Sequence, residues 1–375
     1  MKDEVFPSSY EGSRARFREQ LDRVRRLWPD ARLLNHPVGG DESLTIDWIE
    51  ADALASQNRL LVFTTGEHGI EGYVGSAMLQ VFMDEYLAQL DPHSTGLLLV
   101  HAINPWGMQH RRRTNAANVD LNRTFLSQAE AFDPSFNPEY ARLTPLLLPQ
   151  GPIRNLSLSS LAFAIKLAWS LIALRPQTLR KATLLGQYRF PKGVYYGGTT
   201  WQEETRTLME LYRTHIGLYY HVVHLDMHAG YGPRYQMSLV NSWMEPRDSR
   251  QLEREFAYPL VVKSNPTEFY SIQGDMIDFV YALTKTEFPG KRLYATSFEF
   301  GTLGDSTLAV LRSLRAKILE NQLCWYGTAN PDIRRRVERD FGELYFPTEA
   351  RWRYKAVADA RLAFEGILRA EGFFS

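Results

Sequence analysis

Cysteine is nearly absent from this sequence: Cys324 is the only one in 375 residues. An intrachain disulfide is thereby excluded, and so is a metal cluster built on thiolates. Any bound metal would have to rest on histidines and carboxylates. Net charge is missing as well, with 43 basic side chains against 43 acidic ones. Taken over the whole chain, that balance makes no electrostatic case for nucleic acid or for an acidic membrane. The first twenty residues, MKDEVFPSSYEGSRARFREQ, lack the apolar core of a signal peptide, so a reducing, cytoplasmic setting is expected. Long apolar runs are also wanting. The nearest is 156–174, LSLSSLAFAIKLAWSLIAL, which holds Lys166 and four serines and is barely long enough to cross a bilayer. It reads as a buried or groove-lining helix and not as a membrane span. Internal repeats and low-complexity tracts are absent. What remains is a globular composition, 44% hydrophobic and 13% aromatic, in a chain long enough for one large α/β domain or two small ones.

The stretch 59–80, RLLVFTTGEHGIEGYVGSAMLQ, is the one the rest serves. Leu60, Leu61, Val62 and Phe63 have the length and bounds of a buried strand. The run stops at Thr64-Thr65-Gly66, and helical spacing begins at Val74, Met78, Val81 and Phe82. A strand end passing through a glycine-rich turn into a helix start is where α/β sheets put their chemistry. There His68 and Glu71, three apart, could both face one point and offer a divalent metal a nitrogen and a carboxylate. The same spacing is also common in ordinary loops.

Further along, 13–27 has the periodicity of an amphipathic surface helix. Segments 31–34 and 44–51 look strand-like, with Gly39-Gly40-Asp41 suggesting a hairpin between them. A second buried strand, 97–103, runs into 104–125, NPWGMQHRRRTNAANVDLNRTF. Three successive arginines, Arg111 to Arg113, ordinarily mark a solvated face. Here they follow a buried strand, and Asn122 with Arg123 makes a fork of donors suited to a carboxylate. Residues 134–201, rich in proline, leucine and serine, read as a large insertion. Segment 203–216 looks helical, and 221–226 is a strand ending on Asp226-Met227-His228. His221 and His224, inside that strand, read as packing residues, whereas His228 sits at the exit, where a ligand should be. Segment 258–263 is another short strand. The strand-like 293–300, LYATSFEF, carries one acid, Glu299, and a buried acid needs a partner or a function. A helix is expected over 306–321, and the remainder is charged and helical in period.

Two histidines and one glutamate leave an open position on zinc for water, the pattern of a catalytic site. The metal acidifies that water, and Glu299 can act as general base and then as acid. Arginine and asparagine nearby would hold a substrate carboxylate and stabilise a tetrahedral oxyanion. The set amounts to hydrolysis of an amide bond next to a free carboxylate.

At these residues the chain resembles a known family. Thr65-Gly66-Glu67-His68-Gly69-Ile70-Glu71-Gly72, the run from Arg113 to Arg123, Leu225-Asp226-Met227-His228 and Phe298-Glu299 resemble the ordered motifs of M14-type zinc metallocarboxypeptidases. With Gly186-Gln187-Tyr188 and Tyr195-Tyr196-Gly197-Gly198 they further resemble a bacterial branch, the DUF2817 proteins. The resemblance spans roughly residues 59–302. It implies an α/β fold, three layers α/β/α with a mixed, mostly parallel central sheet. Residues 1–375 would form one catalytic domain with an insertion at 134–201 and a helical C-terminal extension at 323–375. It further implies His68, Glu71 and His228 as ligands of one zinc per chain, and Asp120 as the carboxylate that orients the first histidine from behind. Arg113 would stabilise the oxyanion, Asn122 and Arg123 would clamp the substrate carboxylate, and Glu299 would be the catalytic acid and base. Tyr270, in the segment 270–278, matches a mobile tyrosine that closes over substrate, and Ile277 the floor of the side-chain pocket, with Asp275 and Asp278 close by. The substrate would be a peptide or a small amide bearing a carboxylate. Two alternatives stand beside this. One is a zinc deacylase of the aspartoacylase and succinylglutamate desuccinylase type, which shares the ligand set and a similar Asp-x-Asn-Arg run. Those enzymes typically carry a β-rich C-terminal domain, whereas the 76 residues past Glu299 look helical here. The other is a protein that only binds.

Overall fold

The computed structural model describes residues 5–174, 182, 184–264 and 273–374. Helix α1 (Tyr10–Arg25) comes first, its N-terminus capped by Ser9. Strands β1 (Arg32–Val38) and β2 (Asp41–Ala51) form the expected hairpin. Its loop is Gly39-Gly40, both at positive φ (+64° and +74°), as a two-residue turn matched to strand twist requires. Then follow β3 (Arg59–Thr65), α2 (Gly72–Glu85), β4 (Thr95–His101), the short α3 (Pro105–Gln109), α4 (Pro138–Leu147), α5 (Leu156–Ala173) and α6 (Glu203–Ile216). The second half holds β5 (His221–Ala229), β6 (Met237–Asn241), α7 (Ser249–Glu255), β7 (Val261–Lys263), α8 (Met276–Glu287) and β8 (Arg292–Phe300). It ends with α9 (Thr307–Tyr326), α10 (Pro331–Tyr345) and α11 (Ala350–Ala370).

The eight strands make one mixed sheet in the order β1-β2-β4-β3-β5-β8-β6-β7. Its centre, β4-β3-β5-β8, is parallel, and antiparallel β2 and β6 flank it. Parallel strands are covered on both faces and so read as continuous apolar runs. Alternation of side chains then sorts each run between two cores. Leu61 and Phe63 pack with Val74, Met78 and Phe82 of α2 and Phe364 of α11. Leu60 and Val62 pack with Leu208 and Tyr212 of α6 and Val280 of α8. The result is helices, sheet, helices, which is the α/β fold expected from the sequence.

Three local readings change. Strand β6 is absent from the sequence reading, since five residues with a serine among them carry no period. The strand expected over 258–263 contracts to β7. The apolar stretch 156–174 does form a helix, capped by Asn155, but it is neither buried nor groove-lining. Only one side of it, with Phe163 and Leu167, packs on Tyr140 and Leu143 of α4 and Leu314 and Ile318 of α9. Among the described residues no helix is long and apolar enough to cross a membrane.

Candidate metal centre and active site

The site lies where the parallel strands end. After β3 the chain runs through Gly66-Glu67-His68 into a short 3-10 turn, Gly69–Glu71, and then into α2. Gly69 is wedged against α3, where a β-carbon would stand 2.1 Å from the carbonyl carbon of Gly107. That close approach, possible only without a side chain, holds the loop down and fixes His68 and Glu71 on one side. His228 arrives on the neighbouring strand β5, and Glu299 on β8 directly beside it in register.

His68 Nδ1 is 3.1 Å from Glu71 Oε1. His228 Nδ1 is 3.3 Å from His68 Nδ1 and 3.2 Å from Glu71 Oε2. Four-coordinate zinc with bonds of ~2 Å separates neighbouring ligand atoms by ~3.3 Å, the spacing of the two Nδ1 atoms and of each from one oxygen of Glu71, Oε1 for His68 and Oε2 for His228. The opposite ring nitrogens are each backed by a carboxylate. His68 Nε2 lies 2.9 Å from Asp120 Oδ1, and His228 Nε2 lies 2.5 Å from Asp226 Oδ2. A carboxylate behind each ring favours a proton on Nε2 and an Nδ1 turned into the site, though at His68 the donor Nη2 of Arg113 stands 2.6 Å from the same Nε2. Asp226 is itself held by Thr64, whose hydroxyl donates to Oδ1 at 2.6 Å. Donor types, spacing and backing all suit zinc.

The electrostatics agree with charged carboxylates around this point. Burial alone would raise Glu71, but His68, His228 and Arg113 hold it well below the usual carboxylate range. Asp120 is likewise held down against its burial by Arg113 and Arg123. Burial would lower His228, yet Asp226 and Glu71 raise it well above its ordinary value. Glu299 differs. Its Oε2 is buried without a hydrogen-bond partner, and burial, reinforced by Glu71 and opposed by His228, pushes it up to about 7.

A second acid enters the site. Glu67, His68 and His228 present ligand atoms within 4.8 Å of one another. Both carboxylate oxygens of Glu67 are buried and unpartnered, and burial raises it well above the usual range. Its nearest approach to His228 is 3.5 Å, to the Nε2 that Asp226 already holds. Glu71 instead lies on the Nδ1 side of both rings. Glu67 and Asp226 both stand in the sequence motifs, but nothing in their spacing marks their roles.

Arg113 sits beside the trio, with Nη1 3.0 Å from Glu71 Oε1, Nε 3.2 Å from Asp120 Oδ2 and Nη2 2.6 Å from His68 Nε2. The expected carboxylate fork does not form. Asn122 instead donates to Asp275 and accepts from the backbone N–H of Met276, so it braces the start of α8. Arg123 donates to the carbonyls of Asn122 and Leu184 at 2.7 and 3.0 Å and is 2% exposed. A covering segment from within residues 134–201 closes over it: Tyr188 donates to the Arg123 carbonyl. Ile277, expected on the floor of the side-chain pocket, packs with Tyr281 and Ala295. Tyr270 lies outside the described residues. One cation went unnoticed in the sequence: Lys317 of α9, whose Nζ stands 5.6 Å from the Tyr195 ring and 6.0 Å from the Tyr345 ring. Arg113 is also near enough to act on its charge. A lysine within a charged helix carries no signal of such a place.

No curated protein matches the chain. Among solved structures, bovine thrombin-activatable fibrinolysis inhibitor in complex with tick carboxypeptidase inhibitor is 13% identical, covering 89% of this chain and 100% of that one, with a TM-score of 0.46. Carboxypeptidase A from Helicoverpa armigera is 12% identical over 94% of this chain and 74% of that one, at 0.44. A succinylglutamate desuccinylase from Silicibacter sp. TM1040 is 18% identical over 79% and 67%, at 0.37. The family model described as "Protein of unknown function (DUF2817)" matches residues 6–359, nearly the whole length, and the chain belongs to that family.

Proposed function

We propose that this protein is a zinc-dependent, carboxypeptidase-like hydrolase that cleaves an amide bond next to a free carboxylate. The observation that carries the reading is the trio of His68 Nδ1, His228 Nδ1 and Glu71, spaced 3.1–3.3 Å apart, with the unpartnered carboxylate of Glu299 on the adjacent strand. A zinc ion held by that trio would supply a Lewis acid that polarises a carbonyl and acidifies a water. Glu299 Oε2 takes the proton from the attacking water and returns it to the leaving amine nitrogen; a buried carboxylate oxygen without a hydrogen-bond partner is free for both halves of that exchange. Arg113 donates to the developing oxyanion from its place beside Glu71. Asp120 and Asp226 keep both Nδ1 atoms turned inward.

Arg123 gives two of its donors to backbone carbonyls, and we assign the substrate carboxylate to Lys317, which stands by Arg113 and hydrogen-bonds the Tyr195 hydroxyl. The carboxypeptidase-like reading is preferred to deacylation of small N-acyl amino acids because the chain past Glu299 forms helices α9, α10 and α11, not the β-rich domain typical of the deacylases. The test is a screen of zinc-loaded protein against free and C-terminally amidated peptides and N-acyl amino acids, with products read by mass. Release of C-terminal residues from free peptides, falling ~30-fold on amidation (~2 kcal/mol), is the expected result. Turnover of N-acyl amino acids alone would move the assignment to the deacylases. Zinc binding without turnover of any substrate would leave a binding protein.

A further inference from the structure

Helix α5 is built inside out. Its half-buried side includes Ser159, Ser160, Lys166 and Ser170 beside Phe163 and Leu167. Its outer side is apolar: Leu158, Leu161, Ile165, Trp169 and Ile172 follow helical spacing along one stripe and are 66%, 58%, 50%, 68% and 78% exposed. A surface helix normally has the reverse pattern, and a continuous exposed apolar face marks a place of contact.

Charge indicates what covers it. Residues 140–202 contain eight lysines and arginines and no aspartate or glutamate, while the other 312 residues hold 35 basic and 43 acidic side chains. The zero net charge of the whole chain therefore conceals a segment of +8 set against a remainder of −8. The whole-chain argument against an acidic membrane fails for this segment. Two copies meeting through α5 would bring two such segments together, and like charges across an interface disfavour that contact. An anionic lipid surface attracts the same segment and covers the same apolar stripe. Arg154, exposed just before the helix cap, stands at one end of α5, and Arg315 of α9 donates to Ser160 on its flank. An 18-residue helix is ~27 Å long. Because it packs along one side on α4 and α9, it suits lying in the membrane plane, as interfacial helices do.

We propose that α5 seats this protein on anionic lipid, with the stripe from Leu158 to Ile172 entering the headgroup region and exposed Arg154, beside the N-terminus of the helix, meeting the phosphates. The proposal does not depend on the catalytic reading. The full chain is tested by co-sedimentation with phosphatidylcholine vesicles, with and without about 30% phosphatidylglycerol. Wild type is expected on the anionic vesicles only, with binding weakened by salt. The double variant I165E/I172E, altered only at exposed positions, should keep its far-ultraviolet circular dichroism and bind ~10-fold less. In wild type, anionic vesicles should also shift the emission of Trp169 to the blue, a change read by difference from Trp169→Phe and independent of the double variant. Equal sedimentation of variant and wild type would overturn the proposal. So would a protein that ignores vesicles and runs as a dimer that I165E/I172E makes monomeric, since α5 would then join copies of the chain.

Discussion

Replacing Asp226 by asparagine tests the whole reading of the metal centre at one atom. Asp226 touches no substrate and reaches the site only through His228, with Oδ2 2.5 Å from Nε2 and no solvent exposure. As a carboxylate it can only accept, so it keeps a proton on Nε2 and leaves Nδ1 as the nitrogen that can give up its proton to a metal. Asparagine offers an acceptor on one side and a donor on the other. If its amide N–H faces His228, the imidazole proton must move to Nδ1 and the ligand is lost. If its oxygen faces His228, the amide N–H meets the Thr64 hydroxyl, which now donates to Asp226 and lies 2.8 Å from His224 Nε2. Thr64 then has to turn its proton toward His224. In either orientation the charge behind the ring is gone. Loss of such a backing carboxylate typically weakens metal binding 10–100-fold, or ~1.4–2.7 kcal/mol. The assay is zinc affinity by competition with a chelator, measured on variant and wild type with thermal unfolding of the metal-free forms as a control for folding. An affinity within ~3-fold of wild type, in a folded variant, would refute the argument that His228 binds through Nδ1 under the control of Asp226.

Other outcomes follow from the same geometry. Glu299→Gln should retain zinc and lose turnover, because it removes the proton acceptor and leaves the trio intact; comparable zinc loss would make Glu299 a ligand. Lys317→Ala should raise KM and reduce the preference for free over amidated substrates, whereas Arg123→Ala should act on stability, leaving one buried and one half-buried carbonyl without this donor at a cost of ~1–3 kcal/mol. Steady-state kinetics and urea unfolding on the pair would separate these roles, and reversed phenotypes would return the clamp to Arg123. Burial depresses both His101 and His224 to about 4. A folded-state value below the unfolded one of ~6.5 means stability is fully present above pH ~6.5 and is lost as pH falls toward 4. The loss is at most ~3 kcal/mol for each ring, and urea midpoints measured across that window should fall more steeply in wild type than in His101→Gln. Equal slopes would show that His101 does not contribute.

Much of this protein was legible in one dimension because its signals are local. The runs at 60–63 and 97–100 announce buried parallel strands, Gly39-Gly40 announces a hairpin, and the three-residue step from His68 to Glu71 survives as one side of the trio. Backbone propensity, alternation and turn chemistry operate over a few residues, so the sequence alone determines them. The facing of distant groups is a different matter. The register that sets Glu299 beside His228, the closure of Arg123 under Tyr188, the approach of Lys317 from α9 and the outward apolar face of α5 each depend on how separate segments pack. Arg123 and Lys317 show the difference most plainly. Residue type suggested that the arginine would meet a carboxylate, and nothing in the sequence singled out the lysine. Tertiary packing sets the arginine's Nη1 and Nη2 against the carbonyls of Asn122 and Leu184 and the lysine near the Tyr195 and Tyr345 rings, because segments distant in the chain determine what each cation meets.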